Sequence, residues 1–429
     1  MRILMVSNLY PPYYLGGYEI RCAQVAEALQ RAGHEVQVIT SEYQVARGGE
    51  AVRTRRREVR GGVVVHRCLR EYIFPPRFDP RPWSLFQARR ELQDARHFRR
   101  VVTAFQPDIV NWWSMLGASK LLLPQPRRWG IPEIYWIEQA WFPDQHGPRG
   151  ELTAKFWNGF REGQWAPGLL RPAARWLVRR LESVAARHQI ETRDFGSPMQ
   201  RAVFVSEFMR RRHQSAGVPM PASEVIFGGA EVDRFLAPVR PIESGRALRL
   251  LYAGQVNADR GLHTILEALG LLTPAARGAV SLDVVGEGPA GYGQRVRALA
   301  EELELQRPVA FRGRVPHQEM PAVYRDHDLL VFASLRDEGL PLTIIEALLA
   351  GCAVVSTEAG GAQEVVALAG LPAFAPGNAG QLAEHIERMI LDRALVRRIA
   401  ERGQEVARAD FSFETMMTRF SAALEATVR

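Results

Sequence analysis

The sequence predicts two α/β domains in tandem, each on a mostly parallel, doubly wound sheet. Three observations carry that expectation. Short apolar runs recur through both halves of the chain and alternate with stretches of helical periodicity. The 429 residues exceed what one compact core usually holds. A stretch rich in proline and charge, 238–247, separates the two alternating series.

In chain order, RILMVS (2–7) reads as a buried parallel strand and is followed by a glycine-bearing loop. Cys22–Ala32 has helical periodicity, with Val25, Ala26 and Leu29 on one face, and Gly33 ends it. EVQVIT then completes a βαβ unit. Further strands are expected at VVVH (63–66), DIVNWW (108–113), EIYWIE (133–138) and AVFVS (202–206). The segment 142–196 breaks the rhythm. It is rich in Arg and Trp and interrupted by Pro148, Pro167 and Pro172. Its best helix, Trp176–His188, gathers Trp176, Leu177, Leu181, Val184 and Ala185 opposite its arginines. That pattern suits a helix packed on its own domain, and also a basic amphipathic element on anionic lipid. Beyond the linker, strands are expected at LRLLYAG (248–254), SLDVVG (281–286), PVAFRG (308–313), LLVFAS (329–334) and AVVST (353–357). A last helix covers about 412–427. The expected division is 1–237, with 142–196 as a helical insertion, then linker 238–247, a second domain over 248–410, and a terminal helix in 411–429.

Composition removes several function classes. No apolar run approaches the roughly 20 residues of a membrane-spanning helix. The opening MRILMVSN enters a strand without the sections of a secretory signal, which makes the cytoplasm the default, with the inner membrane face as a peripheral site. Cys22, Cys68 and Cys352 lie far apart and show no metal-ligand spacing, so no disulfide framework, zinc site or other metal is expected. The net charge of +8 is carried almost wholly by arginine; the lysines are Lys120 and Lys155. No nucleic-acid recognition module accompanies it, and an anionic ligand or membrane face explains the sign equally well.

Open α/β sheets bind ligands at the carboxyl ends of their strands, so the loops there are the candidate sites. The segment E-G-L-P-L-T-I-I-E, Glu338 to Glu346, follows an expected strand and opens a helix, with Pro341 suited to its first turn. Amides from Leu340 to Thr343 would be unpaired there, ready for phosphate or hydroxyl oxygens. Carboxylates suit polyols because each oxygen accepts from hydroxyl donors. Alone, however, Glu338 reads equally as a residue favouring the helix dipole, and Glu346 as a solvated one. Gln255–Leu262 places Arg260 before another helix, where a guanidinium could clamp a diphosphate. V-V-G-E-G-P (284–289) offers glycines that either admit a ligand or make a tight turn. F-R-G-R-V-P (311–316) could read a base edge, and L-G-G-Y (15–18) follows the first strand.

Taken together, these segments resemble glycosyltransferase family four, the retaining enzymes of the two-domain GT-B fold. The likeness runs from Y-P-P and G-G through A-G-H-E-V-Q-V-I-T, F-Q-P-D-I-V and V-S-E-F to A-G-Q-V…D-R-G and V-V-G-E-G-P. It continues in the two glutamates, A-G-C-A-V-V-S-T and G-G-A-Q-E-V-V. The resemblance implies two Rossmann-like domains facing across a cleft and a nucleoside-diphosphate sugar as substrate, with no cofactor and no metal. It implies that Glu338 meets the transferred sugar, Glu346 the ribose, and Gly339, Leu340, Pro341 and Leu342 the sugar and phosphates. Arg260 stands where the family has a diphosphate-binding lysine, and Val315 would border the base. Gly16 and Gly17 would meet the phosphates, and the last helix would pack back on the first domain. Two departures bear on chemistry. Gln255 replaces an arginine of many members, and Glu138–Gln139 replace a His-Asp pair near the reacting sugar. Glu138 is therefore a candidate for positioning a hydroxyl acceptor. These departures also motivate a competing expectation, a catalytically silent sugar-nucleotide-binding partner. A pyridoxal-phosphate phosphorylase would need a lysine that the second half lacks, and a dehydrogenase would need G-x-G-x-x-G after the first strand.

Overall fold

The apolar runs become strands buried on both faces, as parallel sheets covered by helices require. The computed structural model describes residues 1–14, 16–42, 55–70, 84–141, 168–192, 199–243 and 245–429. These form two compact units: Met1–Phe204 with Met209–Val225 and Phe420–Arg429, and Val205–Phe208 with Ile226–Arg419.

In the first unit, β1 (Arg2–Val6), β2 (Glu35–Ser41), β3 (Arg57–Arg60), β4 (Val63–Leu69), β5 (Ile109–Trp112), β6 (Glu133–Ile137), β7 (Arg201–Phe204) and β8 (Ala222–Val225) make one sheet. Its order is β3-β4-β2-β1-β5-β6-β7-β8, and all neighbours are parallel except β3 and β4. Central β1 is fully buried from Ile3 to Val6. The first helix runs Gly17–Arg31, starting before the expected Cys22, and Val25, Ala26 and Leu29 are fully buried on it. Strands β3 and β8 were not expected, because REVR and ASEV are short, polar edge segments without an apolar run.

Part of the expected 142–196 insertion, including Pro148 and Pro167, lies outside the described residues. Its helix runs Arg171–Arg187. The expected apolar face is corrected at two residues, Trp176 leaving it and Val178 joining it. Val178 and Ala185 are buried while Trp176 is 60% exposed, its ring under the Arg180 guanidinium at 5.4 Å. Two residues turn a helix by about 200°, so Trp176 and Val178 cannot share a face.

The second unit holds β9 (Leu248–Ala253), β10 (Val280–Val285), β11 (Val309–Gly313), β12 (Leu329–Phe332), β13 (Ala353–Thr357) and β14 (Ala373–Phe374). They pair in parallel in the order β11-β10-β9-β12-β13-β14. Leu250, Leu251, Leu282, Leu329, Leu330 and Val354 are fully buried at its centre. Because all six strands run the same way, the loops after β9, β10, β11 and β12 leave from one end of the sheet. The segment from Ile226 joins this unit by closing on its last turns: Ala230 N donates to Phe411 O at 2.9 Å and Phe413 N to Ala230 O at 2.8 Å.

Candidate functional site

The strand-end loops of the second unit are laced by backbone. Gly254 N donates to Val285 O at 3.0 Å, Val256 N to Glu287 O at 3.0 Å, and Gly286 N to Gly313 O at 2.8 Å. A Cβ on Gly286 would strike the Gly254 carbonyl, and one on Gly288 the Val256 carbonyl. The glycines of V-V-G-E-G-P thus admit the neighbouring loop's own backbone, a third role beside the two that the sequence suggested.

After β12 the chain reaches Glu338 and then the helix Leu342–Leu349. Pro341 is its N-cap, with ψ 103°, one residue earlier than the expected first-turn place. Either position suits proline, whose fixed φ fits and whose missing N–H has no helical partner there. No side chain caps this helix start. The turn before it is held in place by two glycines. Glu338 forms a bridge with Gly360, and Gly361 N donates to Glu338 O at 2.7 Å. A Cβ on Gly360 would meet the Glu338 backbone at 2.5 Å, and one on Gly361 would strike the Gly339 carbonyl. Ser206 adds its hydroxyl to the Gly339 carbonyl at 2.6 Å. Glu364 accepts from Glu207 N and Phe208 N, each at 2.8 Å. The segments V-S-E-F and G-G-A-Q-E therefore meet in this unit around the glutamate turn.

The Glu338 side chain, 14% exposed, is held by cations on one oxygen. Its Oε1 accepts from Arg260 Nη1 at 2.5 Å and Arg336 Nε at 3.0 Å, with Ser334 Oγ at 3.3 Å. Arg336 also donates through Nη1 to Asp259 Oδ2 at 3.2 Å. Arg260 approaches because Gly261 takes φ 69° and lies against the Ala333 carbonyl, where a Cβ would collide. Arg260 Nε is buried without an acceptor.

Glu346 is 7% exposed, on the inner side of the same helix. Its Oε2 accepts from Tyr324 OH at 3.0 Å and its Oε1 contacts His317 Nε2 at 3.0 Å. Burial, followed by the Glu346 charge, pushes the Tyr324 phenol well above its ordinary range, so it stays a donor at any working pH. Arg234 Nη2 lies 3.1 Å from His317 Nδ1 and can only donate. Nδ1 of a neutral His317 is then the acceptor, and the proton sits on Nε2, pointed at Glu346. Neither His317 nor Tyr324 was singled out from the sequence; they precede Glu346 by 29 and 22 residues, and no local spacing links them. Arg336, two residues before Glu338, was open to notice.

The remaining expected residues are placed as follows. Gln255 is half-buried, its side-chain oxygen accepting from Asn257 Nδ2 at 3.1 Å. Val315 is partly buried against the core. In the first unit, Gly16 has open space about it, but its amide already donates to Glu19 Oε2 at 3.0 Å. Gly17 is the first residue of its helix. Glu138 directly follows β6, 14% exposed, with Oε1 at 3.1 Å from Arg21 Nε and 2.8 Å from Trp136 Nε1. Burial raises its pKa against the opposing pull of Arg21. Gln139 beside it is exposed. Cys22 and Cys352 are buried free thiols and Cys68 is half-buried. Among the described residues no group of three His, Cys, Asp or Glu side chains gathers as a metal site would, and no helix is long and apolar enough to cross a membrane.

Comparison with known proteins bears on these features. The model of Glycosyltransferase Family 4 matches residues 15–234, more than half the chain, and that of Glycosyl transferases group 1 matches 240–406. A glycogen synthase of Mycobacterium tuberculosis is 24% identical over 432 residues, covering 97% of this chain and 93% of the relative. A GDP-mannose-dependent alpha-(1-6)-phosphatidylinositol monomannoside mannosyltransferase of the same species is 27% identical over 247 residues, 53% of this chain and 62% of that one. Among solved structures, sucrose-phosphate synthase from Thermosynechococcus elongatus matches with a TM-score of 0.70 at 17% identity, covering 99% of this chain and 98% of that one. Anabaena HepE in complex with UDP-glucose matches at 0.65 and 18%, covering 99% and 100%. Such identities speak to fold alone, and that fold is GT-B, two parallel-sheet α/β domains. With both family models matched and two glutamates separated by seven residues at a helix start, the chain belongs to glycosyltransferase family 4.

Proposed function

We propose that this transferase takes a sugar from a UDP- or GDP-linked donor and moves it to a hydroxyl acceptor with retention at the anomeric carbon. The observation that carries the reading is the buried Glu346 carboxylate, aimed by Tyr324 and His317 on the helix whose start also bears Glu338 and adjoins Arg260. A carboxylate oriented by two donors retains lone pairs for the vicinal hydroxyls of a ribose. Relatives support the donor class: one is named as GDP-mannose-dependent, and a structural neighbour holds UDP-glucose.

In this reading Glu338 accepts from the hydroxyls of the transferred sugar. The amides from Gly339 to Leu342, interrupted at Pro341, face the sugar and phosphates, and Val315 borders the base. Arg260 stabilises the departing diphosphate electrostatically, without a metal, while exclusion of water strengthens that interaction. The bond from the anomeric carbon to the diphosphate oxygen breaks as the acceptor oxygen bonds to that carbon on the same face. The acceptor proton passes to the departing phosphate oxygen. Gln255 adds an amide donor. Glu138 positions the acceptor. A panel of UDP- and GDP-sugars read by ligand-detected NMR tests this. At least one donor should bind and be slowly hydrolysed; a panel with no bound donor overturns the reading.

A peripheral contact with anionic membrane is carried by a separate observation. Leu169, Leu170 and Trp176 are 96%, 57% and 60% exposed, beside the exposed Arg171, Arg175 and Arg179 of one helix. Apolar side chains interleaved with guanidinium groups fit a headgroup interface.

A further inference from the structure

Two guanidinium groups share one carboxylate oxygen in the second unit. Arg260 Nη1 and Arg336 Nε both donate to Glu338 Oε1, at 2.5 and 3.0 Å. Like charges stay so close only around an anion, and the anion here is the side chain read as the sugar ligand. The loops carrying them are joined by backbone, with Leu335 N donating to Asp259 O at 2.9 Å. Asp259 holds Arg336 from the far side through Nη1, leaving the Nε edge turned to Glu338. Arg336 remains about half exposed, at 49%. Arg260 keeps a buried Nε with no acceptor, so its guanidinium has donor capacity that the chain does not use.

We propose that Arg336 is the second cation of the donor site: the diphosphate displaces the Glu338 carboxylate from between Arg260 and Arg336 and thereby frees it for the sugar hydroxyls. The proposal rests on the nucleotide-sugar reading above and adds a residue and an order of events to it. A diphosphate carries more negative charge and more acceptor oxygens than one carboxylate, so it satisfies both guanidinium groups where Glu338 satisfies each through a single contact. Asp259 stays bonded to Arg336 and keeps it from following the leaving carboxylate. Glu338 is then a competitor of the nucleoside diphosphate and a partner of the complete nucleotide sugar. That opposition is the signature of the device.

The test is calorimetry with UDP and GDP, using whichever binds the wild type more tightly, alongside its nucleoside monophosphate. Arg336→Ala should weaken the diphosphate roughly tenfold, as loss of a charge-assisted contact does, and leave the monophosphate nearly unchanged. Arg336→Lys should restore part of the loss. Glu338→Gln should bind the diphosphate several-fold more tightly than wild type, because the internal anion is gone, while losing the gain that the attached sugar confers. Circular dichroism of each variant reports folding, and an unfolded Arg336→Ala leaves Glu338→Gln to decide. Unchanged diphosphate affinity in Arg336→Ala, an equal loss for both nucleotides, or weaker diphosphate binding by Glu338→Gln overturns the inference while the donor reading stands. Failure of both diphosphates to bind the wild type overturns the two together.

Discussion

At the scale of single residues, Glu338 is at once the candidate sugar ligand and the counter-charge of Arg260, the candidate diphosphate clamp. Arg260 and Glu338 stood out in the sequence as candidate ligands, of a diphosphate and of a sugar, but their pairing did not, because 78 residues separate them. The same limit hid Tyr324 and His317 behind Glu346. Buried charge in the first unit follows the same physics. Lys120 is 6% exposed, donates to the Met115 carbonyl and to the Ala118 carbonyl at 3.0 Å, and has its ammonium 5.3 Å from the Trp141 ring centre. Burial pulls its pKa from 10.5 down to about 7, with Glu91 opposing. Between those values the unfolded chain binds a proton that the folded chain lacks, so stability from this group rises with pH across that window. Below about 7 both states are protonated and its slope vanishes. Tryptophan fluorescence isolates the first unit, since all nine tryptophans precede residue 205. Urea midpoints followed that way should lose part of their alkaline rise in Lys120→Met. An identical slope in the variant contradicts the buried-amine account.

At the scale of elements, legibility followed burial. Strands at sheet centres, such as β1, β9 and β12, declare themselves because both faces exclude water and the sequence must be apolar throughout. Edge strands β3, β8 and β14 need no such run, and backbone pairing alone makes them. Paired glycines were legible as a motif but not as a mechanism. Gly360 and Gly361 exist so that one loop can lie on the backbone of the Glu338 turn, a contact fixed by tertiary stacking. The helix Arg171–Arg187 shows the reverse case, where a pattern suggested more burial than occurs. Its face through Val178 and Ala185 is buried, which leaves Trp176 outside with the arginines. Leu169→Glu combined with Trp176→Ala should abolish co-sedimentation with anionic vesicles and leave donor binding intact. Sedimentation indifferent to anionic lipid content, or to these substitutions, removes the membrane reading.

At the scale of the whole molecule, the doubly wound architecture was readable because alternating strands and helices leave few topologies. The second unit's sheet explains why its site is assembled from four loops distant in sequence: parallel strands send every following loop to one end. The units differ in how much chemistry they made visible. The second concentrates its charged groups in short motifs. The first buries Arg21 and Lys120 and pairs Arg21 with the largely covered Glu138, where the sequence marks only the departure from its relatives. The central claim is that Glu346 holds the ribose of a nucleotide donor. Its most direct test is a calorimetric titration of wild type and Glu346→Ala with the donor selected from the UDP- and GDP-sugar panel. Loss of two charge-assisted hydrogen bonds should weaken binding by roughly a hundredfold or more. An affinity equal to that of the wild type contradicts the assignment.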